Sequence, residues 1–222
     1  MNKNLKPDNS ENKIIIPETV VGDISYLCPS WEQMGELTYR LARQIIDCGE
    51  KFDQVIALAK GGWTWARTFV DYLELDELSS TRIKRYKGIN QSTEPVITQP
   101  IVQSLEGLNI ALFDEVNDHG DTVIEAVKHA KEKGAKSVKI VTLCYKPHSK
   151  MKSDYYAFKS DDFGRSDSWV VFPHEVREFT VESAKKWHNE GATKDEVIER
   201  FDKIGLPSHQ TKFFVDRIWD DL

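Results

Sequence analysis

The sequence predicts an α/β protein: a doubly wound, mostly parallel sheet flanked by helices, with a C-terminal helical extension. Three observations lead there. Gln54 to Ala59, Ile110 to Phe113 and Ser137 to Tyr145 are largely apolar runs without alternation, as expected of strands buried on both faces. Segments with apolar residues at helical period separate them, which is the order of a parallel sheet with crossover helices. Beyond Glu175 only helical patterns remain.

The elements follow in order. Residues 1–12 are polar and predicted disordered; the α/β domain is expected over 13–175 and the helical extension over 176–222. Ile14 to Ile16 is a short apolar stretch ended by Pro17, and Ile24 to Cys28 reads as a strand closed by Pro29. Ser30 starts a helix with Gln33 in the capping-box position, and Met34, Leu37, Leu41 and Ile45 form its inner face until Gly49 stops it. After the Gln54–Ala59 strand, Lys60-Gly61-Gly62 is read as a turn leading into a helix from Thr64 to Leu73. A strand is expected over Arg82 to Tyr86, and then a polar segment from Lys87 to Pro100. Ile110 to Phe113 is the next strand, Thr122 to Lys133 a helix stopped by Gly134, and Ser137 to Tyr145 the third buried strand. Residues 148–167 read as loop with one short extended piece, and Trp169 to Phe172 as a last strand. In the extension, Thr193 and Glu196 form a capping box, Gly205-Leu206-Pro207 a break, and Ser208 the cap of a final helix carrying Phe213, Phe214, Ile218 and Trp219.

Bulk properties narrow the function. A net charge of -6 argues against nonspecific nucleic-acid binding. Two helices around a tight turn suit a DNA-binding pair, but the acid-rich extension ending in Asp220-Asp221-Leu222 does not, so docking on the sheet or on a partner subunit is expected. No apolar run reaches the roughly 20 residues of a membrane helix, and the polar start lacks a signal peptide's apolar stretch. Cys28, Cys48 and Cys144 are far apart and form no CxxC pair, which predicts reduced, buried thiols in a cytoplasmic protein and no zinc site.

Ligands of open α/β sheets bind at the carboxyl ends of strands, and three such ends carry unusual residues. Lys60-Gly61-Gly62 lets a ligand approach the backbone, although a plain turn has the same sequence. Asp114 and Glu115 precede Asp118-His119-Gly120-Asp121-Thr122, which enters a helix at its N-terminus. That end suits a phosphate, and the acids suit sugar hydroxyls or a metal; a solvated loop with Asp118 or Asp121 as helix cap is the plainer alternative. Lys146-Pro147 follows the third buried strand, where the lysine is either a snorkelling surface residue or a donor to a carbonyl of a base. Trp169 is either a core residue or a platform for a flat heterocycle.

Four segments, "VIALAKGGWTWARTFVDYL", "IALFDEVNDHGDT", "VTLCYKP" and "SDYYAF…SWVVFPHE", stand in the order found in type I phosphoribosyltransferases. The chain resembles that family over roughly residues 24–175, most closely its xanthine, guanine and hypoxanthine branch, and "PSWEQMGELTYRLARQI" resembles the helix that opens those proteins. The resemblance implies transfer of a 5-phosphoribosyl group from phosphoribosyl diphosphate to a 6-oxopurine, with Mg2+. It implies that Lys60, Gly61 and Gly62 bind the diphosphate, often through a non-proline cis peptide at the first glycine. Asp114 and Glu115 would hold the ribose hydroxyls, and Asp118, the proposed catalytic base, would sit near the purine N7. His119, Gly120, Asp121 and Thr122, next to Asp118, would cradle the 5-phosphate. Lys146 would bind the 6-oxo group, Trp169 would stack on the base, and the Val170 backbone would read the 2-position. Asp114, Glu115 and Glu175 would serve the metal, and Tyr86 to Pro100 would be a mobile hood.

Two residues depart from the family pattern: Glu115 stands where a second Asp is usual, and His119 where Thr or Ser is usual. Glu still accepts from a hydroxyl, and an imidazole can donate to phosphate. A homodimer or homotetramer is implied, with no nucleic acid and no membrane as partner. A nucleotide- or donor-sensing protein on the same fold is the alternative function, motivated by His119 and the helical extension. Lys146-Pro147 with Trp169 disfavours orotate and uracil, and a lysine donor disfavours adenine.

Overall fold

The computed structural model describes residues 14–85 and 95–222; the predicted disordered start and most of the expected hood lie outside them. Contacts divide the described chain into two compact units, 34–159 and 14–33 with 160–222. That division falls after Lys159, whereas the change of sequence pattern falls after Glu175.

The first unit holds a six-stranded sheet of order β5-β4-β3-β6-β7-β8, from β3 (Gln54–Ala59), β4 (Leu78–Arg85), β5 (Pro95–Gln99), β6 (Asn109–Asn117), β7 (Ser137–Tyr145) and β8 (Tyr155–Lys159). Every neighbouring pair is parallel except β4 with β5. The doubly wound fold is therefore present. The chain leaves β3 through α2 (Gly61–Tyr72) to β4 on one side, then returns to place β6 on the other. Strand order reverses there, which opens a crevice at the carboxyl ends of β3 and β6. On one face Ile56, Leu58, Ile110, Leu112 and Ile140 pack with Val123, Ala126 and Ala130 of α3 (Asp121–Glu132). Alternate residues point the other way, and there Phe113 meets Phe69 of α2 at 4.8 Å between ring centroids.

Several expectations are corrected. The segment 95–99, expected as polar connection, is an edge strand; proline is tolerated at its first position because an edge needs fewer N–H donors. β4 begins at Leu78, earlier than the expected Arg82. The glycine pair Gly61-Gly62 is the first turn of α2 and not a separate turn. β6 continues through Asp114 and Glu115 to Asn117 instead of stopping at Phe113. All three cysteines are free, but only Cys144 is buried; Cys48 is exposed.

α1 (Trp31–Asp47) opens with the predicted box: the Ser30 N–H donates to Gln33 Oε1 at 2.7 Å, and the Gln33 N–H to Ser30 Oγ at 3.1 Å. Met34, Leu37, Leu41 and Ile45 are all buried.

The second unit has its own sheet, β1 (Glu18–Val21), β2 (Ile24–Leu27) and β9 (Trp169–Val170), in the order β1-β2-β9. β9 is two residues long, shorter than the expected 169–172. Three helices follow: α4 (Val176–Asn189), α5 (Lys194–Ile204) and α6 (Ser208–Ile218). Tyr26 of β2 and Val171 join Trp187, Phe201 and Val215 in one core, so the extension docks on this small sheet. The Thr193–Glu196 capping box is formed. Ser208 is helical and Pro207 holds the cap position, so the expected Ser208 cap is corrected. Among the described residues no helix is long and apolar enough to cross a membrane.

Phe201 is fully buried with its ring 4.9 Å from that of Trp187, whereas Phe213 is 55% exposed. Phe201→Ala is expected to cost about 3–5 kcal/mol in urea unfolding, and Phe213→Ala less than about 0.5 kcal/mol. Equal costs would contradict this core.

Candidate active site

The site in the first unit is built from the crevice upward. α2 begins directly at the end of β3, so its N-terminal N–H groups point out of the sheet's carboxyl edge. The Ala59–Lys60 peptide is cis, one bond before the position implied for Gly61. A Cβ on Gly61 would clash with the Glu115 carboxylate, and a Cβ on Gly62 would lie 2.7 Å from the Phe113 carbonyl oxygen. Only glycine lets this turn lie against β6.

On β6, alternation sends Asp114 and Glu115 in different directions. Asp114 is partly exposed and lines a cavity of about 240 Å³ with residues 116–123. Its Oδ1 accepts the Glu115 N–H at 2.9 Å. Glu115 is buried, and its carboxylate faces Gly61. Asp114 thus faces the cavity and Glu115 the first turn of α2. The cavity is smaller than the roughly 300–1,000 Å³ of a whole small-molecule pocket, a scale suited to one group of a larger ligand.

Residues 118–122 form the mouth of α3. Gly120, at φ 88°, occupies the cap position, and Asp121 and Thr122 are the first helical residues. A Cβ on Gly120 would meet Ser149 Oγ at 2.6 Å. The segment after β7 wraps this turn: Lys146 N–H donates to the Asn117 carbonyl at 3.1 Å, Lys150 N–H to the His119 carbonyl at 3.1 Å, and Ser149 Oγ to Asn117 Oδ1 at 2.8 Å. Lys150 Nζ lies 2.6 Å from Asp121 Oδ1, offsetting an acid that would otherwise oppose an anion at the helix end.

Asp118 is the electrostatic centre. Buried Lys146 places Nζ 3.2 Å from its Oδ1, His148 Nε2 is 2.9 Å from the same oxygen, and His119 Nδ1 is 3.2 Å from Oδ2. Desolvation pushes the Asp118 pKa up, but the Lys146 charge and the hydrogen bonds from His148 and Lys146 together outweigh it. The carboxyl is held below its ordinary value.

The structure thus gathers Asp114, Asp118, His119, Gly120, Asp121 and Thr122 around one cavity, with Lys146 on Asp118 and Gly61 and Gly62 against β6. Lys60 is exposed at the cap position of α2. Trp169, Val170 and Glu175 belong to the second unit. There Trp169 is 54% exposed and not a core residue, Val170 is buried, and Glu175 occupies the cap position of α4. Sequence reasoning missed His148 and Lys150. The strand-end rule that singled out Lys146 applies equally to the residues just after it.

A depressed carboxyl stabilises the fold at neutral pH, and that contribution is lost as pH falls through the folded-state value, below 3.8. Carbon-13 NMR should therefore find Asp118 titrating below 3.8, and Lys146→Met should raise it, because desolvation would then have less opposition. A value at or above 3.8, or one indifferent to Lys146, would contradict this electrostatic picture.

Residues 30–178 match the phosphoribosyl transferase domain. The hypoxanthine-guanine phosphoribosyltransferase of Streptococcus pneumoniae (strain ATCC BAA-255 / R6) is 25% identical over 142 residues, 61% of this chain and 79% of that protein. A purine phosphoribosyltransferase structure from Pyrococcus horikoshii Ot3 is 32% identical, covering 67% of this chain and 93% of that one, with a TM-score of 0.59. The Helicobacter pylori xanthine-guanine-hypoxanthine phosphoribosyltransferase superposes with the same TM-score, 0.59, over 71% of this chain and 99% of that one; at 20% identity it shows the fold alone. The chain belongs to the phosphoribosyl transferase family, as a pentosyl-transferring glycosyltransferase that resembles the family's 6-oxopurine branch.

Proposed function

We propose that the protein is a purine-salvage enzyme that transfers the 5-phosphoribosyl group of phosphoribosyl diphosphate to xanthine, guanine or hypoxanthine, giving the nucleoside monophosphate and diphosphate. The observation that carries this reading is the cavity at the mouth of α3, where the partly exposed carboxylates Asp114 and Asp118 stand beside a helix N-terminus. Sugar hydroxyls and a phosphate on one ligand need that pairing of acceptors with N–H donors.

The roles proposed are these. N–H groups at Gly61 and Gly62, with Lys60, hold the diphosphate, and Asp114 with Glu115 accepts from the ribose hydroxyls. His119, Gly120, Asp121 and Thr122 take the 5-phosphate. Lys146 has three donors, so it can keep Asp118 and still donate to a 6-oxo group. Trp169, exposed on β9, is proposed to stack on the base, and the Val170 backbone to read its 2-position. The C1–O bond breaks with its electron pair leaving on diphosphate, the purine nitrogen attacks the opposite face of C1, and Asp118 takes or steers the N7 proton.

Asp114 is an oxygen donor on the cavity wall and fits a hard cation such as Mg2+, with Glu115 and Glu175 as the further proposed ligands. When bound, the ion neutralises diphosphate charge. Action in the cytoplasm as a homodimer or homotetramer completes the proposal. Tyr39, Ile46, Trp63 and Tyr72, exposed on the first unit's helices, support an assembly because partners cover such apolar surface.

Incubation with phosphoribosyl diphosphate, Mg2+ and each of hypoxanthine, guanine, xanthine, adenine and orotate tests the reading. Nucleotide is expected from at least one 6-oxopurine and from neither adenine nor orotate. No product with any base, while the donor still binds, would favour a sensing protein. Asp118→Ala is expected to lower turnover by about 10²–10⁴-fold while donor affinity changes far less. Parallel loss of both would remove Asp118 from the proton step.

A further inference from the structure

Asp118, His119 and His148 each bring one metal-ligating atom to within 4.8 Å of the others. His119 Nδ1 lies 3.2 Å from Asp118 Oδ2, and His148 Nε2 lies 2.9 Å from Asp118 Oδ1. The two rings stand 5.5 Å apart between centroids. Their backbones are tied together: the Lys150 N–H donates to the His119 carbonyl at 3.1 Å, and the Ser149 N–H closes a turn on the Lys146 carbonyl at 2.9 Å. Each neutral imidazole offers one nitrogen lone pair, and the carboxylate offers oxygens. Two imidazoles and a carboxylate suit Zn2+ and not Mg2+, which takes oxygen ligands. In a tetrahedral zinc site with bonds of about 2.0–2.1 Å, ligand atoms stand about 3.3 Å apart. A closure of at most about 1.5 Å therefore completes the set. All three side chains are exposed by more than a third, so they can rotate to make it, and water can fill the fourth position. Lys146 Nζ, 3.2 Å from Asp118 Oδ1, opposes an ion; it can keep that oxygen while the ion takes Oδ2. The cysteine spacing argues against a thiolate zinc site but does not bear on imidazole ligands.

We propose that Asp118, His119 and His148 form a Zn2+ site that switches the enzyme off. The metal site stands apart from the proposed phosphoribosyl transfer; its inhibitory effect rests on that reading. Zn2+ on Asp118 occupies the lone pair that the purine N7 proton needs and puts positive charge where that proton would arrive. It also draws His119 away from the 5-phosphate. Binding involves no redox change. The contacts of each ring nitrogen with Asp118 give way to nitrogen–zinc–oxygen bridges, and each neutral ring keeps its proton on the other nitrogen. Of these three residues none belongs to the proposed Mg2+ ligands, so one ion need not displace the other.

Calorimetric titration of the full chain with Zn2+, without substrates, tests the site. His119→Gln and His148→Gln should each weaken binding by at least about tenfold, since loss of an outer-shell partner alone commonly costs 10–100-fold. Cys48→Ser, which removes the exposed thiol, should bind as the wild type does. In turnover assays with excess Mg2+, Zn2+ should inhibit the wild type, and a nitrogen-donor chelator that takes Zn2+ and leaves Mg2+ should reverse it. His148→Gln, whose amide can still donate to Asp118, should turn over near the wild-type rate without Zn2+ and need at least about tenfold more Zn2+ for half inhibition. Zn2+ binding indifferent to both histidine substitutions, or no binding at all, would overturn the site. Binding that needs both histidines but leaves turnover unchanged would overturn the inhibitory role. Absence of wild-type turnover with every base, while binding still needs both histidines, would overturn the transferase reading and the inhibition but not the metal site.

Discussion

Two backbones can lie as close as the first turn of α2 and strand β6 only where no side chain stands between them. Gly61 and Gly62 meet that requirement, one against the Glu115 carboxylate and the other against the Phe113 carbonyl. The close approach brings the helix N-terminus of α2 beside the acids of β6, at the one place where the strand order of the sheet reverses. Everything proposed for the donor site depends on it. A methyl group at either position would push two elements apart and separate N–H donors from carboxylates.

Around that constraint the charges are balanced and not merely accumulated. The sequence places Asp114, Glu115, Asp118 and Asp121 within eight residues, which looks like self-repulsion. The fold disperses it. Strand alternation separates Asp114 from Glu115, Lys150 faces Asp121, and Lys146 with two histidines surrounds Asp118. The cations come mostly from the segment after β7, which is parallel to β6 and ends at the same edge of the sheet. Parallel topology therefore brings the acidic and basic strand ends together, although about thirty residues separate them in the chain.

Much of this was legible before the structure. Unbroken apolar runs marked β3, the first half of β6 and β7, and the Ser30–Gln33 and Thr193–Glu196 boxes marked two helix starts. What was missed has physical causes. Glycine's poor helix propensity hid the start of α2, and acidic residues hid the second half of β6. Pro95 disguised an edge strand. The short, polar-edged β1 acquires meaning only through its pairing with β2. His148 and Lys150 carried no pattern of their own, since their significance comes from what lies across the strand ends.

The central claim is that the crevice between β3 and β6 holds phosphoribosyl diphosphate. Backbone amide chemical shifts, recorded during titration with that compound and Mg2+, test it most directly. The account predicts the largest perturbations at Gly61, Gly62 and residues 118–122, and their loss in Gly61→Ala. Saturable binding with perturbations confined to α5 and α6, or unaffected by Gly61→Ala, would contradict it.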